Sequence, residues 1–120
     1  LDNIKLAEAI ANEEIKQNKK TKIFIQINIG NENQKNGIFI DELNSFYDFC
    51  VNNLKLNIIG FMCIPPSDKD SSYYFNEMKI ITNTFKMKEL SMGMSGDYLK
   101  ALTYGSTFLR IGSKIFGERN

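Results

Sequence analysis

The order of elements in the chain is clearest in residues 89–111, whose sequence is ELSMGMSGDYLKALTYGSTFLRI. The short run from Glu89 to Met92 predicts a strand, and a glycine-rich turn follows it. Tyr98 to Tyr104 predicts a short helix closed by Gly105, and Thr107 to Ile111 predicts the next strand. A strand, a helix and a strand in close succession are typical of parallel strands joined by a crossover helix.

The same alternation extends upstream. Lys22 to Asn28 is β-branched and aromatic, which predicts a strand, and Leu56 to Met62 predicts another. Leu1 to Gln17 has apolar residues at helical spacing, and Asp41 precedes a wide apolar stripe that it would cap as a helix. A further helix is predicted around Tyr74 to Phe85. The apolar residues of the first helix, which we expect to face the core, are Ile4, Ala7, Ala11 and Ile15.

Four predicted strands, each preceded by a helix, indicate an α/β fold with a parallel sheet. An open doubly wound sheet and a section of a (β/α)8 barrel both fit this order of elements. The sequence pattern by itself does not choose between them.

Composition narrows the class of function. The 120 residues are 42% hydrophobic and 24% charged, which indicates one globular domain, and the net charge of +1 predicts no nucleic-acid partner. Apolar runs are far shorter than the ~20 residues that cross a bilayer, so we expect no membrane association. The absence of His excludes imidazole catalysis and imidazole metal ligands, and we predict no metal. The two cysteines fit neither a disulfide framework nor a CxxC motif, which favours the reducing cytoplasm.

In parallel α/β folds the ligand site lies where the strands end. Two of the segments that follow predicted strands, 91–97 and 110–117, are rich in Gly and Ser and are suited to an anion such as phosphate, although such residues also form ordinary turns. Gly112 to Gly117 has the spacing of a phosphate-binding loop, but Glu118 stands where that motif requires Lys. The scattered carboxylates give no acid–base pair, so no catalytic residue is predicted.

Two side chains near strand ends have more than one interpretation. Cys63 has no basic neighbour in sequence that would lower its pKa, so we predict an unreactive thiol. Lys35 lies in the polar loop 28–37, either as a solvated charge or as an amine that meets an anion or an aldehyde. The sequence favours solvation.

Two blocks of the chain resemble the pyridoxal phosphate homeostasis protein family. They are LSMGMSGDY at residues 90–98 and GSTFLRIGSKIFGER at residues 105–119. Shorter matches lie upstream, at QINI (26–29) with Glu32, Gln34, Lys35 and Gly37, at GFMCIPP (60–66), and at Tyr74-Phe75. The resemblance implies a (β/α)8 barrel, similar to the one in alanine racemase, that holds pyridoxal 5'-phosphate (PLP) at the carboxyl ends of its strands.

A barrel of this type needs ~200 residues or more. We therefore expect residues 1–120 to be a single partial domain, the C-terminal half of the barrel with strands five to eight, and the N-terminal half to be absent. In the family the lysine that forms the Schiff base lies at the end of the first strand, so it is expected in that other half. Four strands would leave two edges unpaired, which predicts self-association.

The resemblance also implies which residues bind the cofactor. They are Ser91, Met92, Ser95, Arg110, Gly112 and Ser113. Ser91, with Gly112 and Ser113, would hold the phosphate, and Arg110 would face the pyridine nitrogen, while Ser95 caps the next helix or touches phosphate. Because a guanidinium stays protonated, it would leave the pyridine neutral and the cofactor a weak electron sink.

The function implied by the resemblance is that of a non-catalytic, cytoplasmic carrier that regulates the free level of PLP. PLP-dependent apo-enzymes are the candidate acceptors, and Lys35 is a candidate accessory amine. The alternative is a PLP-dependent amino-acid racemase, which needs a Schiff-base lysine and a second acid–base residue on the other face of the ring. Neither is matched in these 120 residues.

Overall fold

A computed structural model of the chain describes residues 1–67 and 70–112. Within these residues four helices alternate with four strands, and the strands form one parallel sheet in the order β1-β2-β3-β4. The predicted α/β fold with a four-stranded parallel sheet is therefore confirmed. The helices are α1 (Ile4–Gln17), α2 (Ile40–Asp48), α3 (Ser71–Thr84) and α4 (Tyr98–Thr103), and the strands are β1 (Lys22–Gln26), β2 (Asn57–Met62), β3 (Glu89–Met94) and β4 (Phe108–Arg110).

The strands present two different faces because successive side chains point to opposite sides of a sheet. The outer face packs against the helices and is almost completely buried, and it includes Ile23, Ile25, Ile58, Phe61, Leu90 and Met92. The concave face is only partly covered, and it includes Phe24, Gln26, Ile59, Met62, Ser91, Phe108 and Arg110. A doubly wound sheet has helices on both of its faces. In the described part of the chain the helices cover the outer face alone.

The sheet is strongly curved. Phe24 of β1 and Phe108 of β4 form an edge-to-face pair with ring centroids 5.1 Å apart, although β2 and β3 lie between their strands. Three strand spacings of about 4.8 Å separate β1 from β4 in a flat sheet, about 14 Å in total. The two rings therefore meet only because the sheet bends around the concave face.

An irregularity in β2 interrupts the alternation of faces. Ile23 pairs with Ile58 but Phe24 pairs with Gly60, so β2 carries one extra residue relative to β1. A side chain at Gly60 would collide with the carbonyl oxygen of Glu89 on the neighbouring strand. Glycine at this point lets β2 and β3 approach each other closely. The extra residue of β2 returns Phe61 to the outer face.

The predicted stripe of α1 is partly wrong. Ile4 and Ile15 are 53% and 79% exposed, and the buried residues are Ala7, Ala11 and Glu14. The small alanines allow close approach to the core. The Glu14 carboxylate is buried because it accepts a hydrogen bond from the backbone N–H of Thr21 (2.7 Å). This bond joins the end of α1 to the start of β1, which explains why a charged residue replaces the expected Ile15 on the buried face.

The predicted cap of α2 is also wrong. The helix begins two residues earlier than expected, after Phe39 in an extended conformation and with no side-chain cap, and Asp41 lies in the first turn. A carboxylate in that turn still interacts favourably with the helix dipole. A π-helical turn, Phe49–Asn53, continues α2 and places Cys50 in the core.

Candidate functional site

Three groups meet where β2, β3 and β4 end. The Arg110 guanidinium donates through one terminal nitrogen to the Ser91 hydroxyl oxygen (2.7 Å) and through the other to the Cys63 carbonyl oxygen (2.9 Å). Cys63 directly follows β2, Ser91 is on β3 and Arg110 ends β4. One side chain thus bridges three neighbouring strands, at the ends of β2 and β4 and at the middle of β3.

Strand register explains why these residues meet. Ser91 pairs with Phe108, and Arg110 comes two residues after Phe108, so it lies on the same face of β4. The main chain completes the arrangement, because the Cys63 N–H donates to the Ser91 carbonyl oxygen (3.2 Å). The Cys63 side chain remains on the opposite side, in the core.

The Arg110 guanidinium leaves one of its three nitrogens without a partner in the described part of the chain. Its Nε is buried and has no hydrogen-bond partner among the described residues. Burial lowers the pKa of Arg110, and the negative charge of Asp97 acts in the opposite direction. A guanidinium stays protonated in proteins, so the group remains a cation at neutral pH and keeps all its N–H donors. A buried N–H without an acceptor is uncommon and marks a place where a ligand acceptor gains a bond.

Cys63 is close to Arg110 but is not an activated nucleophile. Its side chain is fully buried, and burial raises its pKa to about 12, against the smaller lowering effect of Arg110. The thiolate is the reactive form. The thiol therefore stays protonated at neutral pH, as expected from the sequence, and Cys63 serves the site through its carbonyl oxygen.

The turn after β3 forms one wall of a cleft. Asp97 accepts a hydrogen bond from the Met94 N–H (2.8 Å), which closes the turn, and Gly93 adopts a φ of +104° beneath it. The cleft has a volume of about 670 Å³ and lies between this turn and the segment after β2. Ser95 lines it, and an ion pair between Lys100 and Asp70 (3.3 Å) lies at its edge.

The structure brings together some of the predicted site residues and separates others. Ser91 and Arg110 are in direct contact. Met92 is not part of this contact: it is fully buried on the outer face, because side chains alternate along β3 and Ser91 occupies the other side. Ser95 is half-buried in the turn and lines the cleft.

The remaining predicted residues lie apart from this contact. Gly112 is exposed, with none of the described residues beyond its chain neighbours within 4 Å of a Cβ placed there, and Ser113 lies outside the described residues. Lys35 is exposed in the loop between β1 and α2, where its backbone N–H donates to the Glu32 carbonyl oxygen (3.1 Å). In residues 1–67 and 70–112 no three His, Cys, Asp or Glu side chains are grouped so as to hold a metal ion.

Sequence reasoning missed two hydroxyls that hold β3 against β4. The Leu90 N–H donates to the Thr107 hydroxyl oxygen (2.8 Å), and the Ser106 hydroxyl contacts both the N–H and the carbonyl oxygen of Met92. Ser106 is buried, although it precedes the strand and looks like an ordinary turn residue in sequence. The available signal was two adjacent hydroxyl residues directly before a short strand.

Comparison with known proteins gives consistent results. The sequence model of the family described as alanine racemase, N-terminal domain, matches residues 1–120. The pyridoxal phosphate homeostasis protein of Aquifex aeolicus is 30% identical over 128 residues, which cover 99% of this chain and 56% of that protein. The protein of the same name from Haemophilus influenzae is 35% identical over 131 residues, covering 100% of this chain and 55% of that protein. The chain thus spans about half the length of these curated relatives.

Solved structures show the same fold. PipY of Synechococcus elongatus, solved without PLP, superposes with a TM-score of 0.88 at 24% identity, over 98% of this chain and 59% of that one. The structure of PipY with PLP bound gives a TM-score of 0.86 at 23% identity, over 98% and 58%. The resemblance recognised in the sequence is confirmed, and the chain belongs to the alanine racemase N-terminal domain family.

Proposed function

We propose that this chain binds pyridoxal 5'-phosphate at the carboxyl ends of β3 and β4 and acts in PLP homeostasis as a non-catalytic carrier. The observation that carries the proposal is Arg110, which bridges Ser91 and Cys63 at the strand ends and keeps a buried N–H unpaired. The names of the relatives support the role, as does the PipY structure with PLP bound.

The residues present fit the proposed cofactor. The Arg110 Nε–H suits an acceptor such as a neutral pyridine nitrogen, since a guanidinium donates but does not readily give up its proton. The Ser91 oxygen already accepts from Arg110, which leaves its own hydrogen for an anionic oxygen. When bound, PLP supplies an aldehyde and an electron-withdrawing ring, and a partner that keeps the ring nitrogen unprotonated weakens that withdrawal.

The phosphate contacts belong to the same proposal. We assign them to the hydroxyls and backbone of Ser91, Ser95, Gly112 and Ser113, and we assign Met92 a packing role beneath Ser91. Several converging N–H and O–H donors favour a phosphate dianion. Lys35 is proposed as an accessory amine in the loop after β1, which ends at the same side of the sheet.

We further propose that the sheet is one half of a (β/α)8 barrel, with its four strands in the positions of strands five to eight. The curvature across Phe24 and Phe108 and the placement of the helices on the outer face support this assignment. The other four strands, with the lysine that anchors the cofactor in the family, would then lie outside residues 1–120. The greater length of the relatives agrees with this proposal.

The proposed place of action is the cytoplasm, with PLP-dependent apo-enzymes as acceptors of the cofactor. Both cysteines are free and buried, as suits a reducing compartment. None of the helices in the described residues has the length and apolar character needed to cross a bilayer.

Equilibrium dialysis against PLP tests the site. We expect Arg110→Met to weaken binding by about 10- to 100-fold, the effect of losing hydrogen bonds to a charged group. Lys79→Met removes an exposed charge from α3 and is the matched control, with binding expected to be unchanged. Equal affinity of the two variants would contradict the proposal.

Two further assays separate the carrier from the alternative enzyme and test Lys35. Incubation with L-alanine and PLP should produce no D-alanine, and steady turnover would overturn the non-catalytic role.

Borohydride reduction followed by mass spectrometry locates any lysine joined to PLP. We expect saturable labelling at Lys35 that Lys35→Ala abolishes and Lys79→Ala does not. Equal, weak labelling of many lysines would remove Lys35 from the proposed site.

A further inference from the structure

The pairing of β3 with β4 depends on side chains as well as on the backbone. Ser91 pairs with Phe108 and Met94 with Arg110, so three steps along β3 match two along β4. The extra residue of β3 interrupts the regular ladder at Met92 and Gly93. A strand with such an interruption needs other partners for its buried N–H and carbonyl groups.

Ser106 contacts both main-chain groups of Met92. The Met92 N–H donates to the Ser106 hydroxyl oxygen (3.3 Å), and the same hydroxyl lies 2.6 Å from the Met92 carbonyl oxygen. It also lies 3.0 and 3.2 Å from the carbonyl oxygens of Phe108 and Leu90. A hydroxyl has one hydrogen and two lone pairs, so it can accept from the N–H and donate to the nearest carbonyl at once. The hydroxyl thus adds side-chain contacts to the pairing of β3 with β4 at Met92.

Thr107 does the same for Leu90. Its hydroxyl oxygen accepts from the Leu90 N–H (2.8 Å), and its own N–H donates to the Leu90 carbonyl oxygen (2.8 Å). The main-chain groups of Leu90 and Met92 face the side of β4, whereas the Ser91 carbonyl oxygen faces β2 and accepts from Cys63. The two hydroxyls therefore fix the position at which β4 begins.

From these contacts we infer that Ser106 is a positioning residue for Arg110. A slip of one residue in β4 would turn Arg110 to the other face of the sheet, because side chains alternate. In the observed register Phe108 pairs with Ser91, so Arg110 lies on the same face as Phe108 and reaches Ser91 and Cys63. Ser106 contacts the main chain of Leu90, Met92 and Phe108, and acts on Arg110 through the strand.

Nuclear magnetic resonance of the whole chain tests the inference without any ligand. The Nε–H signal of Arg110 is assigned by its loss in Arg110→Lys. We expect Ser106→Ala to shift or broaden that signal and to speed hydrogen exchange at the Met92 N–H. Exchange at the Leu90 N–H should stay slow, because that group donates to the Thr107 hydroxyl. Ser106→Thr keeps the hydroxyl and should restore the Arg110 signal. Thr103→Ala is the control, since the Thr103 hydroxyl donates to the Leu99 carbonyl oxygen within α4 and makes no other hydrogen bond among residues 1–67 and 70–112.

Binding of PLP gives a second readout, which rests on the proposed function. We expect Ser106→Ala to weaken it by about tenfold and Ser106→Thr to restore it. If the unaltered chain does not bind PLP, the proposed function fails while the resonance test of Ser106 stands. An unchanged Arg110 signal in folded Ser106→Ala overturns the inference. If that variant does not fold, Ser106→Cys, with a weak donor of similar size, must show the same displaced signal, and an unchanged signal there overturns the inference equally.

Discussion

The two faces of the sheet are built from the same four strands but have different properties. The outer face is apolar and buried beneath the helices, with Phe61, Met92 and Cys63 fully inaccessible. The concave face is partly exposed and places Ser91 and Arg110 among aromatic and aliphatic side chains. Strand alternation thus separates the residues that stabilise the fold from those that can bind. Substitutions on one face should change stability, and those on the other should change binding.

The strongest test of this contrast is Phe61→Ala. The Phe61 ring is fully buried and packs edge-to-face on Phe85, with centroids 5.1 Å apart. Removing a buried aromatic ring costs about 3–5 kcal/mol. We expect that loss in the free energy of unfolding, measured by urea denaturation. Ile59→Ala, two residues earlier on the concave face and only half-buried, is the control and should cost less. Equal losses would show that the two faces contribute alike.

Gly60→Ala should have the next largest effect. The added methyl group would meet the main chain of Glu89, which cannot rotate away as a side chain can. We expect a loss of about 3 kcal/mol in the free energy of unfolding, the upper end of the range for overpacking. Gly96→Ala is the matched control, because nothing lies within 4 Å of the added atom there. A loss no larger than that of the control would mean that β2 and β3 readily separate at this point.

The buried thiols of the core give the structure a pH dependence on the alkaline side. Burial raises the pKa of Cys63 to about 12 and that of Cys50 to about 11. The pKa of a cysteine thiol in an unfolded chain is about 8.5. Below the unfolded pKa both states hold the proton. As the pH rises above it, the unfolded state loses the proton that the folded state keeps, so stability falls.

The Cys63 thiol makes a separable contribution to this effect. Between pH 8 and pH 10 it should lower the free energy of unfolding by about 2 kcal/mol. Cys63→Ala removes that part of the slope, even though the substitution itself changes the stability at every pH. Parallel pH profiles for the two proteins, measured by denaturation, would mean that the Cys63 thiol ionises as easily in the folded state as in the unfolded one.

Sequence periodicity was sufficient to predict the element order and the parallel sheet, because both depend on local patterns. It failed where one element's surroundings decide the outcome. Ile15 has helical spacing but is exposed, since the Glu14 carboxylate takes the buried position to bond Thr21. The extra residue of β2 next to Gly60 could not be predicted from the sequence either, because it depends on how closely β3 approaches β2.

The candidate site was predictable in part for the same reason. Motif resemblance selected Ser91 and Arg110, which the structure places 2.7 Å apart. It also selected Met92, whose side chain points into the core. A motif lists neighbouring residues but does not show that successive side chains of a strand point to opposite faces. Ser106 was not predicted as a site residue because its role depends on the register between β3 and β4. Its partner Met92 lies 14 residues away in sequence, so no local pattern indicates their contact.

The smallest expected effect tests the curvature itself. Phe24 and Phe108 share a contact that only a bent sheet allows, with ring centroids 5.1 Å apart. A double-mutant cycle with Phe24→Leu and Phe108→Leu should give a coupling energy of about 0.5–1.5 kcal/mol, the value typical of an aromatic pair. Pairing Phe24→Leu instead with Leu99→Ala, an exposed residue of α4, should give none. In a flat sheet the two rings would be too far apart to interact, so a zero coupling would remove the structural support for a barrel wall. A measurable coupling would show that the sheet is curved across all four strands in solution.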